Sequence, residues 1–78
     1  MAITVYTKPN CMQCEMTKKY FDARQIPYDL VDITKDEVSL QKMIDMGFQS
    51  APIVITDHDK WAGFKVAKLA ETTERYAS

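Results

Sequence analysis

The chain has 78 residues, short of a common domain length of ~100–150, so it holds one small core and no second domain. Hydrophobic residues make up 46% and charged residues 27%, a balance that excludes a disordered or fibrous chain. The net charge of −1, from 10 Lys and Arg against 11 Asp and Glu, excludes a protein that works mainly by neutralising nucleic-acid phosphates. No apolar run approaches the roughly 20 residues that span a bilayer. The opening Met1 to Tyr6 lacks the charged and long apolar stretches of a secretory leader. A cytoplasmic location without membrane contact is therefore expected.

Ala2 to Tyr6 is short, apolar and β-branched, which predicts a first strand. Thr7-Lys8-Pro9 breaks it. Asn10 followed by Gln13 has the form of a capping box, opening a helix from about Cys11 to Arg24. On that helix Cys14, Thr17, Phe21 and Arg24 share one face, and Met12, Met16, Tyr20 and Ala23 another. Tyr28 to Ile33 predicts a second strand. Thr34 with Glu37 reads as another capping box, for a helix running to about Met46 with Leu40, Met43, Ile44 and Gly47 on one side. Gly47-Phe48 has the form of a left-handed helix terminator with an apolar residue behind it.

Pro52 to Thr56 predicts a third strand, with its proline where a strand tolerates one. Asp57-His58-Asp59 is turn material, and Lys60 to Gly63 closes a hairpin as a fourth strand. The last helix, about Lys65 to Tyr76, is expected to turn Val66, Leu69, Ala70 and Thr73 inward. The order β-α-β-α-β-β-α makes strands one and two parallel through a right-handed crossover and the last two antiparallel. The fold class is thus α/β: three helices on a four-stranded mixed sheet. Tyr20, Phe21, Ile44 and Leu69 are the expected core, and His58 is expected at the surface.

The chemistry lies in Cys11 and Cys14. Cys11 falls in the first turn of a helix, where unpaired N–H groups and the helix dipole favour a thiolate. Lys8 stands three residues upstream and can add a cation. Cys14, one turn further in, is expected to be less exposed and to stay a thiol until needed. One helical turn brings the two sulfurs within bonding distance, and the asymmetry lets Cys11 attack a disulfide and Cys14 release it. Two other readings stand beside this one: ordinary small apolar residues, or half a metal or cluster site completed by His58 and an Asp.

The segment Thr7-Lys8-Pro9-Asn10-Cys11-Met12-Gln13-Cys14, between a strand and a helix, resembles the small glutaredoxin-like members of the thioredoxin superfamily. Met12-Gln13 between the cysteines and Trp61-Ala62-Gly63-Phe64 near the end resemble the NrdH-type redoxins specifically. Ser50-Ala51-Pro52-Ile53 resembles the segment that carries the superfamily's cis-proline. The resemblance covers essentially the whole chain as a single redoxin domain, 1–78. It implies a dithiol–disulfide oxidoreductase with no bound cofactor. Such a redoxin is reduced by thioredoxin reductase, draws on NADPH only through it, and passes electrons to the large subunit of class Ib ribonucleotide reductase.

The resemblance also assigns roles. Cys11 and Cys14 are the catalytic pair. Ala51 backbone groups beside Pro52 are expected to pair with a bound partner strand, Lys8 to support the thiolate, and Met12, Trp61, Gly63 and Phe64 to form an apolar docking corner. Gln13 is either the cap partner of Asn10 or a hydrogen-bonding group for the partner. Thioredoxins keep a buried Asp near the inner cysteine, and the first strand has no carboxylate, leaving Tyr6 or Glu15 as candidates. A glutathione-dependent glutaredoxin is the alternative, but Ala62-Gly63-Phe64-Lys65 lacks the carboxylate that would meet the glutathione amine, so glutathione is expected to bind weakly or not at all. The family often continues with Arg-Pro where this chain has Lys65-Val66, which removes a planar guanidinium and a preset helix start.

Overall fold

The computed structural model describes residues 2–48 and 50–77. Seven elements follow in chain order: β1 (Thr4–Thr7), α1 (Met12–Ala23), β2 (Asp29–Asp32), α2 (Glu37–Asp45), β3 (Ile53–Ile55), β4 (Lys60–Ala62) and α3 (Val66–Ala77). The strands form one sheet in the order β2-β1-β3-β4. β1 is parallel to β2 and antiparallel to β3, and β3 is antiparallel to β4. The expected mixed sheet and three helices are all present. Among the described residues no helix is long and apolar enough to cross a membrane.

Strand alternation divides the core into two layers. Val5 lies opposite Val54, and Val54 opposite Trp61; this row packs with Ile3, Phe21, Ile26 and Leu69, so α1 and α3 cover one face. The next row, Tyr6 opposite Ile53 opposite Ala62, packs with Cys14, Ile33, Met43 and Ala51, so α2 covers the other. Phe21, Leu69, Val5, Val54 and Ile53 are fully buried. Each such side chain contributes about 1.5–3 kcal/mol relative to exposure.

Both helix starts differ from the expected capping boxes. Asn10 takes a left-handed backbone (φ 58°), which passes the cap to Cys11. Thr34 is already engaged: its N–H and hydroxyl both donate to Asp32 Oδ1, at 2.8 and 2.6 Å. Asp36 caps α2 instead, accepting from the N–H groups of Val38 and Ser39 and from the Ser39 hydroxyl. The end of α2 follows the sequence. Gly47 (φ +83°) donates to Ile44 O and Phe48 N–H to Met43 O, the two bonds of a Schellman terminator.

Two helices are also rotated from expectation. On α2 the buried line is Ser39 and Met43, while Val38, Leu40 and Ile44 are exposed, so Ile44 is not core. On α3 it is Leu69 and Thr72, and Val66 faces outward. In both cases the side chain that reaches the sheet sets the phase. Tyr20 is half-buried against the core, and His58 is exposed in the β3–β4 turn, as expected.

Candidate redox site

β1 delivers the chain to the loop 8–11, and α1 then carries the cysteines over the end of the sheet. Cys11 is the N-cap of α1, in extended backbone (φ −117°, ψ 103°), and its Sγ accepts the Cys14 N–H at 3.1 Å. The two residues form a disulfide with their Cα atoms 5.2 Å apart. Cys14 is fully buried beside Tyr6 and Ile33, whereas Cys11 is half-buried. The outer and inner sulfurs are therefore unequal in access, as the spacing predicts. Cys11 Sγ thus sits at the front of α1 against the Cys14 N–H, and Cys14 Sγ sits inside the core.

The rim around this pair comes from three segments. The first is the start of α1, where Met12 is 78% exposed. Met12 and Met16 line an open groove of about 790 Å³ with Asn10, Cys11, Glu15 and Lys19. Their i, i+4 spacings, Met12 to Met16 and Glu15 to Lys19, are the sequence signal for this groove. The second segment holds the cis Ala51–Pro52 bond, with both residues buried. The third is the β4–α3 corner, where Gly63 N–H donates to Pro52 O at 2.7 Å.

Several predicted roles change. Gln13 does not cap Asn10; its Oε1 accepts the Phe64 N–H at 3.3 Å, joining α1 to the β4–α3 corner. Trp61 is not part of a surface patch with Met12. It is only 3% exposed, packed in the α1/α3 layer, because its strand position puts it in the row of Val5 and Val54. Its indole Nε1 is buried and makes no hydrogen bond among the described residues. Phe64 is half-buried against the same layer. Lys8 is exposed and borders a separate groove with Glu15, Lys18 and Asp32. Tyr6 shares the cluster of Cys14, while Glu15 is exposed and pairs with Lys18 at 2.7 Å.

The family relationship agrees with this geometry. The glutaredoxin family model matches residues 3–61. The chain is 39% identical over 69 residues to the glutaredoxin-like protein NrdH of Lactococcus lactis, covering 88% of this chain and 96% of the relative. Its fold matches that of the NrdH-redoxin from Escherichia coli with a TM-score of 0.88 at 27% identity, over 91% and 93% of the two chains. It matches the thioredoxin-like protein BC3987 with a TM-score of 0.81 at 31% identity, over 88% and 96%. The chain thus belongs to the glutaredoxin family, in its NrdH-type branch, and is a thiol–disulfide oxidoreductase built around Cys11 and Cys14.

Proposed function

We propose that this redoxin carries electrons, in the cytoplasm, from thioredoxin reductase to the large subunit of ribonucleotide reductase, supporting deoxyribonucleotide synthesis. The Cys11 thiolate attacks one sulfur of the substrate disulfide, and the other substrate sulfur leaves as a thiolate and takes up a proton. Cys14 then loses its proton and attacks Cys11 Sγ. The mixed bond breaks, the second substrate thiol is released, and two electrons have moved: the substrate is a dithiol and Cys11–Cys14 a disulfide. Thioredoxin reductase returns the pair to the dithiol at the expense of NADPH, and no cofactor is bound. During attack the substrate chain lies against the Ala51–Pro52 segment, with Met12 as an apolar contact.

The observation that carries this reading is the pairing of a half-buried, N–H-bonded Cys11 with a fully buried Cys14. The likeness to a solved protein described as glutaredoxin-like with a thioredoxin-like activity profile supports the choice of reductase, as does the missing carboxylate near Phe64-Lys65. The test is NADPH oxidation with thioredoxin reductase, run beside glutathione with glutathione reductase. Turnover only in the first is expected, and turnover only in the second refutes the assignment. Cys11→Ser abolishes turnover, and Cys14→Ser accumulates the mixed disulfide.

A further inference from the structure

Two hydrogen bonds stitch together the three segments around the cysteines. Gly63 N–H donates to Pro52 O at 2.7 Å, and the next amide, Phe64 N–H, donates to Gln13 Oε1 at 3.3 Å. Gly63 sits at φ +90°, a conformation that L side chains rarely adopt and that glycine accepts readily, and it lies between these two bonds. Among the described residues, the Gln13 contact is the one side-chain hydrogen bond from the first turn of α1 to either of the other two segments. Gln13 immediately precedes Cys14, and its own carbonyl is held by the Thr17 hydroxyl at 2.9 Å, so the residue is tied at both ends.

We infer that Gln13 is a positioning residue for disulfide exchange: its carboxamide clasps the β4–α3 corner and thereby sets the spacing between Cys11 and the Pro52 segment. This rests on the exchange at Cys11 described above, with the substrate chain lying along Pro52. The clasp is a matter of length as much as of chemistry. The acceptor must reach across from the helix to an amide 51 positions away, and the bond is already 3.3 Å long. A side chain one methylene shorter, by about 1.5 Å, loses it. A small disulfide that touches only the sulfur has no use for the spacing, whereas a protein substrate that meets both Cys11 and the Pro52 segment does.

The experiment compares wild type with Gln13→Leu, Gln13→Asn and Gln13→Glu, using insulin as a protein disulfide, with dithiothreitol as terminal reductant, and dithionitrobenzoate as a small one, reduced in a single turnover by the pre-reduced protein freed of dithiothreitol. Hydrogen exchange of the Phe64 amide by NMR reads the clasp directly. Gln13→Leu and Gln13→Asn are expected to release the Phe64 amide and to raise KM for insulin about three- to tenfold, the loss of one exposed hydrogen bond. The value of kcat and the rate with the small disulfide stay within about twofold, since Cys11 itself is untouched. Gln13→Glu, with the same reach and an oxygen acceptor, restores both the amide protection and KM once each variant is measured where its thiolate is fully formed.

A Phe64 amide as protected in Gln13→Leu as in wild type overturns the clasp. An unchanged KM with the amide released, equal slowing with both probes, or Gln13→Asn behaving as wild type overturns the positioning role. A wild-type protein that reduces neither probe refutes the exchange chemistry instead.

Discussion

Replacing Trp61 separates a core residue from a docking residue. Its side chain is 3% exposed and sits in one row with Val54 and Val5, under Leu69. Truncating a large aromatic removes on the order of 150–250 Å² of buried surface, and such changes cost about 3–5 kcal/mol. A 78-residue domain has a total stability of roughly 4–12 kcal/mol at 0.05–0.15 kcal/mol per residue. Trp61→Ala is therefore expected to lower Tm by at least about 12–24 °C, taking about 4–8 °C per kcal/mol for this size, and to leave part of the population unfolded at 37 °C. Trp61→Phe keeps most of the ring surface and removes an indole N–H that is buried without a partner. Its cost is expected to stay within about 1 kcal/mol, because an unsatisfied buried donor carries a penalty of similar size to the lost area. Melting followed by far-ultraviolet circular dichroism reads both. A Trp61→Ala protein that melts within a few degrees of wild type, with only its reductase-coupled activity reduced, would mean that Trp61 is a contact residue and that the two-layer core is wrong.

The contrasting substitution is Met12→Ala. At 78% exposure it is expected to change stability by less than about 0.5 kcal/mol while slowing turnover with thioredoxin reductase. Alkylation of the reduced protein by iodoacetamide is expected to reach half its maximal rate at a lower pH for folded Cys11 than for the same protein in urea; coincident curves would refute the role of the helix start. Asp36, Asp59 and Asp32 are held below the ordinary aspartate value of 3.8, first by hydrogen bonds from Ser39, Lys68 and Thr34 respectively. Their folded values lie below their unfolded ones, so the stability they add is present above about pH 4 and is lost as pH falls through the lowered values. Asp36→Asn keeps a good cap without the charge; its Tm is expected below wild type at pH 7, with the gap closing toward pH 2. Tyr28, pushed up to about 12 by burial and then by its hydrogen bond to Asp22, works in the other direction, and its contribution is lost as pH rises through 12. Gly63→Ala is expected to cost about 1–2 kcal/mol from its left-handed backbone, since the added Cβ would lie an ordinary 3.5 Å from Gln13 Oε1.

Element order and strand direction were legible because each signal is local. Apolar alternation marks β1, Gly47-Phe48 ends α2, and a short polar turn forces the β3–β4 hairpin. The cysteine asymmetry was legible for the same reason, as it needs only the helix start. What the letters conceal is competition. Asn10 and Thr34 are good caps in isolation, but a left-handed turn at Asn10 and the Asp32 carboxylate beside Thr34 remove them from that role. Helical phase is hidden too, because Leu40 and Ser39 differ by one step around α2 and only docking of Met43 on the sheet decides between them. Trp61 could have been placed from strand alternation, since Val54 pairs with it across the hairpin; its neighbour Phe64 drew it toward the surface reading instead. Gln13 had no such signal, its partner lying 51 positions away.

Cys11 does two jobs with a single atom. The sulfur that exchanges electrons also terminates the polar backbone at the front of α1, so an inert control must preserve architecture as well as remove chemistry. Serine, an oxygen in nearly the same place, can do so; alanine silences the reaction and uncaps the rod together, and a dead alanine variant would confuse a lost nucleophile with a frayed scaffold.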